Sequence, residues 1–267
     1  MKIKLIRSLL VSAGLFGLLI QSAWADTQSE WTDNGGVFSL TTGFDYSTGK
    51  YGGKEDTDIT SVPVIAKYDI DRWVFKLTIP YVTITGPGDV VPGIGQVRNT
   101  TTTRRTTESG LGDIVAGVSY NLFDGSNGMP MIDLTGKVKF GTADEDKGLG
   151  TGENDYTAQV DVYKGFGAFT ALGTVGYRVY GDTSTTTLDN VFFASVGGVY
   201  KLAPNTSTGL IYDYRPATSS SGSAVSEMMA FISQKITDHW KAQGYLVGGF
   251  ADGSPDYGVG ALVGYVF

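Results

Sequence analysis

The chain offers little to acid–base or nucleophilic chemistry. It contains no cysteine and a single histidine, His239. Serine–histidine hydrolysis, and activation of water by an aspartate–histidine pair, each need an imidazole beside the substrate. His239 falls in Ile236-Thr237-Asp238-His239, which reads as a short solvated turn. The missing thiols remove zinc–thiolate sites and cysteine nucleophiles. Gly148-Leu149-Gly150-Thr151-Gly152 has the glycines of a phosphate loop but neither its lysine nor the helix after it, so it reads as loop. Asp144-Glu145-Asp146 lacks the spacing of a calcium loop and reads as a solvated acidic stretch. The Asn99-Thr100-Thr101 and Asn205-Thr206-Ser207 sequons are read as chance matches. No catalytic residue, metal or cofactor is expected, and the chain is not expected to be an enzyme.

The charged residues suit another kind of chemistry, the selection of solutes along a wall. Lys76, Lys137, Lys139, Asp155, Asp161, Arg178 and Arg215 all occupy the polar parity of alternating segments. Three further cations, Arg98, Arg104 and Arg105, lie in a long loop with Gly86-Pro87-Gly88 and Thr100–Thr103. Folded inward, that loop would form a constriction whose guanidiniums attract carboxylates. Left outside, it is an ordinary solvated loop.

The elements that carry these residues alternate with a period of two. Side chains of a strand point to opposite faces in turn. Tyr257, Val259, Ala261, Val263, Tyr265 and Phe267 form one apolar face, opposite Gly258, Gly260, Leu262, Gly264 and Val266. Segment 73–84 sets Trp73, Phe75, Leu77, Ile79 and Tyr81 against Lys76 and Thr78. Segment 153–164 sets Tyr156, Ala158, Val160 and Val162 against Asp155, Gln159 and Asp161. The whole chain divides into about twelve such segments, each near the length that a tilted strand needs to cross a bilayer. Long loops at 47–56, 85–110, 142–152, 181–189, 216–223 and 251–256 alternate with short turns at 69–72, 123–129, 164–166, 202–205 and 236–239. An even strand count with alternating long and short loops, and aromatics at strand ends, predicts an all-β antiparallel outer-membrane barrel. The competing fold is a water-soluble sandwich or lipocalin-like barrel with the apolar face inward. Its interior would be too wide to fill at this strand count.

The N-terminus predicts an address. Lys2, Lys4 and Arg7 precede the apolar stretch Leu9–Ile20 and the small-x-small site Ala23-Trp24-Ala25. Residues 1–25 therefore read as a signal peptide cleaved after Ala25, leaving 26–267 as one barrel domain. Without residues 1–25 the chain has 17 Lys+Arg against 27 Asp+Glu, a net of −10. That balance excludes nucleic acid as a partner. Expected partners are outer-membrane lipid, a small solute, and the outer-membrane assembly machinery, met through the strand that ends on Phe267. The expected location is the bacterial outer membrane.

Two stretches carry a family resemblance. One is Gly110-Leu111-Gly112-Asp113-Ile114. The other is Lys139-Phe140-Gly141-Thr142-Ala143-Asp144 with Gly148-Leu149-Gly150-Thr151-Gly152, followed by Tyr156. They resemble the outer-membrane "transporter" family labelled for the meta-pathway of phenol degradation. Gly141 stands where that family often has proline. The resemblance covers roughly residues 35–267 and implies a channel for small solutes, aromatic or hydrophobic compounds among them. It assigns no catalytic residue. The rival expectation is a closed structural barrel that binds a ligand or partner through its long extracellular loops.

Overall fold

The computed structural model describes residues 35–96, 104–182, 187–220 and 222–267. The expected signal peptide, Arg98 and the Asn99 sequon lie outside these residues. Twelve antiparallel strands close into a barrel. They are β1 (Val37–Gly49), β2 (Thr57–Ile70), β3 (Trp73–Gly86), β4 (in two halves, Thr106–Leu111 and Ile114–Asp124), β5 (Met131–Phe140) and β6 (Asp155–Phe166). The second six are β7 (Phe169–Val179), β8 (Val191–Ala203), β9 (Thr206–Arg215), β10 (Val225–Lys235), β11 (Trp240–Gly249) and β12 (Tyr257–Val266). Each strand pairs with its neighbours in sequence, and β12 pairs with β1 from Thr48↔Tyr257 to Ser39↔Val266. Closure leaves no free edge, so every strand satisfies its backbone polar groups within the wall.

The wall is turned inside out relative to a water-soluble protein. Phe192 is 68% exposed, Leu246 62% and Val175 60%, while Asp161 and Arg215 are each 1% exposed. A face this apolar, continuous around a closed barrel, is matched to lipid rather than water. Aromatics mark both of its rims. At the end carrying the short turns, Trp73 lies 4.7 Å from Tyr120, Trp240 5.0 Å from Tyr265, and Phe38 5.4 Å from Phe267. At the long-loop end, Tyr177 lies 4.7 Å from Phe192 and Tyr46 6.4 Å from Tyr257. We call these the periplasmic and outer ends.

The strand boundaries differ most from the sequence expectation at β4. Alternation places its start near 111, but it begins at Thr106 and carries a bulge. Tyr81 pairs with Leu111 and Thr78 with Val115, so Ile79-Pro80 faces three residues, Gly112-Asp113-Ile114. The extra residue flips the parity, which hides the first half of the strand from a period-two reading. Pro80 also has no N–H to give, and its opposite number across β2–β3 is Pro63. The Gly112 amide repairs part of this break by donating to the Pro80 carbonyl at 2.8 Å.

Candidate functional site

Every described residue of the predicted wall set faces inward. Lys137, Asp155, Asp161, Arg178 and Arg215 are buried, and Lys76 and Lys139 are half-buried. They belong to a hydrogen-bonded polar lining. Asp161 accepts from Thr174 at 2.7 Å, from Thr135 at 3.0 Å and from the Gln159 amide at 2.7 Å. Lys137 donates to the Gln159 Oε1 at 2.5 Å. Asn121 donates to Asp133 at 2.6 Å, and Ser195 donates to Asp213. Arg178 donates to Thr157 at 3.3 Å and has the Phe193 ring 5.7 Å from its guanidinium carbon. Hydroxyls and amides of adjacent strands thus satisfy Asp133 and Asp161, while Asp45, Asp213 and Glu227 each keep one buried oxygen without a hydrogen-bond partner among the described residues.

Lys139 and Asp155 do different work from the rest. Lys139 lies 2.8 Å from Asp113 and 3.2 Å from Asp155, and donates to Thr151 at 3.0 Å. Asp113 also accepts the Ala143 amide at 3.0 Å, while Thr142 donates to the Gly112 carbonyl and accepts the Ile114 amide. A Cβ on Gly150 would strike the Asp113 carboxylate. The glycine motifs noted in the sequence therefore converge on one clasp. It pins the bulge of β4 to the β5–β6 loop.

The long β3–β4 loop does turn inward, but with its apolar residues. Val90–Val91 and Gly95–Gln96 form a small hairpin, and Val90, Val91 and Ile94 are buried. Val90 packs with Tyr51, Ile59, Ile84 and Val225, and Val91 and Ile94 pack with Tyr180, Leu188 and Val191. These partners come from opposite sides of the barrel, so the hairpin lies across the outer mouth. Arg215 fastens it by donating from Nη2 to the Ile94 carbonyl at 3.1 Å. Burial pushes the Asp89 carboxyl, at the base of this arm, above the usual carboxylate range. Arg104 and Arg105 do not join it. Both are exposed, and Arg105 bonds Asp58 at 2.6 Å and the Thr85 carbonyl at 3.0 Å. Only Val90, Val91 and Ile94 within a glycine-rich stretch hinted at the inward arm.

Asp45, Glu227 and Tyr245 form a second buried set on the inward face; parity alone puts Glu227 and Tyr245 there, and Asp45 is the member that sequence reasoning missed. The clue was glycine on one parity of β12, which leaves room for a neighbour's ring. The lone His239 is a turn residue at the periplasmic end, exposed, with Nδ1 2.7 Å from the Val266 carbonyl.

With this geometry in place, comparison with known proteins is informative. The family described as "Putative MetA-pathway of phenol degradation" matches residues 66–236. The chain belongs to this family. No curated protein matches the sequence. Among solved structures, the COG4313 outer membrane channel of Pseudomonas putida F1 is 17% identical with a TM-score of 0.65, covering 91% of this chain and 99% of that one. The KdgM porin in complex with oligogalacturonate is 12% identical at a TM-score of 0.49, covering 86% and 99%. The CymD monoaromatic hydrocarbon channel is 9% identical at 0.43, covering 88% of each chain. The first of these shares the fold, a twelve-stranded barrel of the outer-membrane type.

Proposed function

We propose that the chain is a non-enzymatic outer-membrane channel that admits small solutes by passive diffusion. The carrying observation is the wall. An apolar outer face and a charged inner face enclose a lumen with one inward hairpin across its outer mouth. Bulk water and lipid are each matched to the surface they would meet. The wall set Lys76, Lys137, Lys139, Asp155, Asp161, Arg178 and Arg215 supplies the selectivity, with Lys139 and Asp155 acting chiefly through the clasp. Residues 1–25 direct export and are removed after Ala25. The β12 strand ending on Phe267 is the address read by the outer-membrane assembly machinery. Family membership and the fold support this reading. Small aromatic or hydrophobic compounds are the class it favours.

Planar-bilayer recording of the purified, refolded barrel tests it. Discrete conductance steps and solute flux into liposomes are expected. Folded protein that passes neither current nor solute in repeated trials would overturn the reading. One observation favours the rival, a closed barrel that binds through its loops. The inward residues pack closely, with Gln159 4% and Gln243 3% exposed. Loop-deletion variants that fold but lose a ligand, from a barrel without conductance, would support that rival.

A further inference from the structure

Residues opposite one another in the register of an antiparallel sheet share a face, so a row of inward partners is a stripe on the lumen wall. Because barrel strands tilt, such a stripe climbs the wall as it passes from strand to strand. Three stripes of distinct chemistry run here in parallel.

The first is cationic. Lys67 pairs with Lys76, Lys76 with Gly117, Gly117 with Lys137, Lys137 with Thr157, and Thr157 with Arg178. It begins three residues from the periplasmic end of β2 and finishes one residue short of the outer end of β7. It therefore rises through nearly the whole wall.

The second stripe is acidic. Asp133 pairs with Asp161, Asp161 with Thr174, Thr174 with Ser195, Ser195 with Asp213, and Asp213 with Glu227. The third is apolar, with Leu172, Gly197, Ile211, Met229 and Val247 in successive register.

The two charged stripes are not equivalent. Asp133, Asp161 and Asp213 each accept hydrogen bonds from amides or hydroxyls of the wall. These donors screen Asp133 and Asp161 most fully, while Asp213 Oδ2 and Glu227 Oε1 at the end of the stripe have no hydrogen-bond partner among the described residues. Among the described residues no carboxylate lies within ion-pair reach of Lys76, Lys137 or Arg178. Lys137 and Arg178 bond only neutral oxygens. Their capacity for an anion is intact.

The apolar stripe stands across the lumen from the cationic one. Lys137 is six residues above the periplasmic end of β5, and Met229 is six residues above that of β10. At this common height β5 and β10 are five strands apart in a ring of twelve, nearly a diameter.

We infer that the lumen selects small amphipathic organic anions: one carboxylate on an aromatic or short hydrocarbon body. The carboxylate steps between Arg178, Lys137 and Lys76 while the body slides along Ile211, Met229 and Val247. This deepens the channel reading and rests on it. A purely inorganic anion would use the first stripe alone, and a neutral arene the third alone.

Reversal potentials of the full-length barrel in planar bilayers separate these cases. Chloride over potassium is expected to be preferred by about fivefold or more, the worth of one close unit-charge contact in water. Benzoate should permeate better than acetate, and benzylammonium should be excluded. Replacing Lys137→Gln and Arg178→Gln together should bring the anion preference close to unity. Met229→Gln should erase the advantage of benzoate over acetate while leaving the preference for anions. Heat-modifiable migration on gels verifies that each variant is folded, and the wild-type ratios decide the question even if a variant is not. Cation preference, or benzoate and acetate permeating alike, overturns the inference in a barrel that conducts. Absence of any conductance overturns the channel reading itself, a different failure.

Discussion

Tyr245 on β11 reaches over Gly260 on β12 to donate a hydrogen bond to Asp45 on β1. One side chain thus ties together the three strands at the seam where the ring closes. A Cβ at Gly260 would collide with the phenol ring. The same device recurs at Gly209, covered by Phe231, and at Gly176, covered by Phe193. An aromatic laid over a neighbouring glycine restores the contacts that the glycine lacks and fixes the register. Gly260→Val should therefore open the seam, lowering the yield of heat-modifiable barrel. Tyr245→Phe keeps the ring but strands the buried Asp45 carboxylate, at a cost of about 1–3 kcal/mol in urea unfolding. Equal stability of wild type and Tyr245→Phe would show that the bond contributes nothing.

The clasp around Asp113 makes a second prediction. Lys139 and Asp113 are largely shielded, with side-chain exposures of 18% and 12%. Removing Lys139 leaves Asp113 and Asp155 without their shared cation, and removing Asp113 leaves Lys139 only the longer pair with Asp155, beside the β4 bulge. Asp113→Asn and Lys139→Met should each destabilise the barrel. The double variant should lose less than the sum, with a coupling of about 0.5–3 kcal/mol. Additive losses in the double-mutant cycle would mean that the two residues do not act as a unit.

How much of this was legible in the sequence follows from period. The lipid-facing parity of β3, β6 and β12 could be read directly, because each keeps two-residue alternation from end to end. Leu111 and Ile114 both face outward although they stand an odd three positions apart, so β4 could not be read the same way. Thr106-Thr107-Glu108-Ser109 added no apolar signal there. Parity puts the wall charges on one face of their strands, but it says nothing about partners. It cannot tell Lys139, locked in a clasp, from Lys137, facing the lumen. The stripes depend on register between strands, which loop lengths and bulges set, and a single chain does not display them.

Asp89 should make the inward arm sensitive to pH. The residue is 3% exposed, its Oδ1 has no hydrogen-bond partner among the described residues, and burial raises its pKa. A carboxyl with a raised folded pKa favours the protonated form when docked. Its stabilising contribution is full below the unfolded pKa and is lost as pH rises through the folded value. Wild type should lose stability relative to Asp89→Asn over the window from the ordinary carboxylate range toward neutral pH, because the amide stays neutral throughout. Paired urea titrations at both ends of that window measure the difference. Parallel behaviour of the two proteins would show that Asp89 is not charged against its surroundings.

The hairpin at the mouth governs conductance if the lumen is the path. Val91 and Ile94 bury against Tyr180, Leu188 and Val191, and the single charged bond from Arg215 holds the Ile94 carbonyl. A hydrogen bond from a charged donor contributes about 1.5–3 kcal/mol, enough to keep the arm docked most of the time. Arg215→Gln should shift the balance toward an undocked arm, seen as frequent excursions to a larger single-channel conductance. Replacing residues 90–95 with a short glycine linker should make that larger state permanent, with the barrel wall unchanged. The linker variant removes the obstruction and Arg215→Gln only loosens it, so the two should agree in amplitude and differ in dwell time. Identical conductance in wild type and both variants would place the narrowest point elsewhere along the wall, below the hairpin.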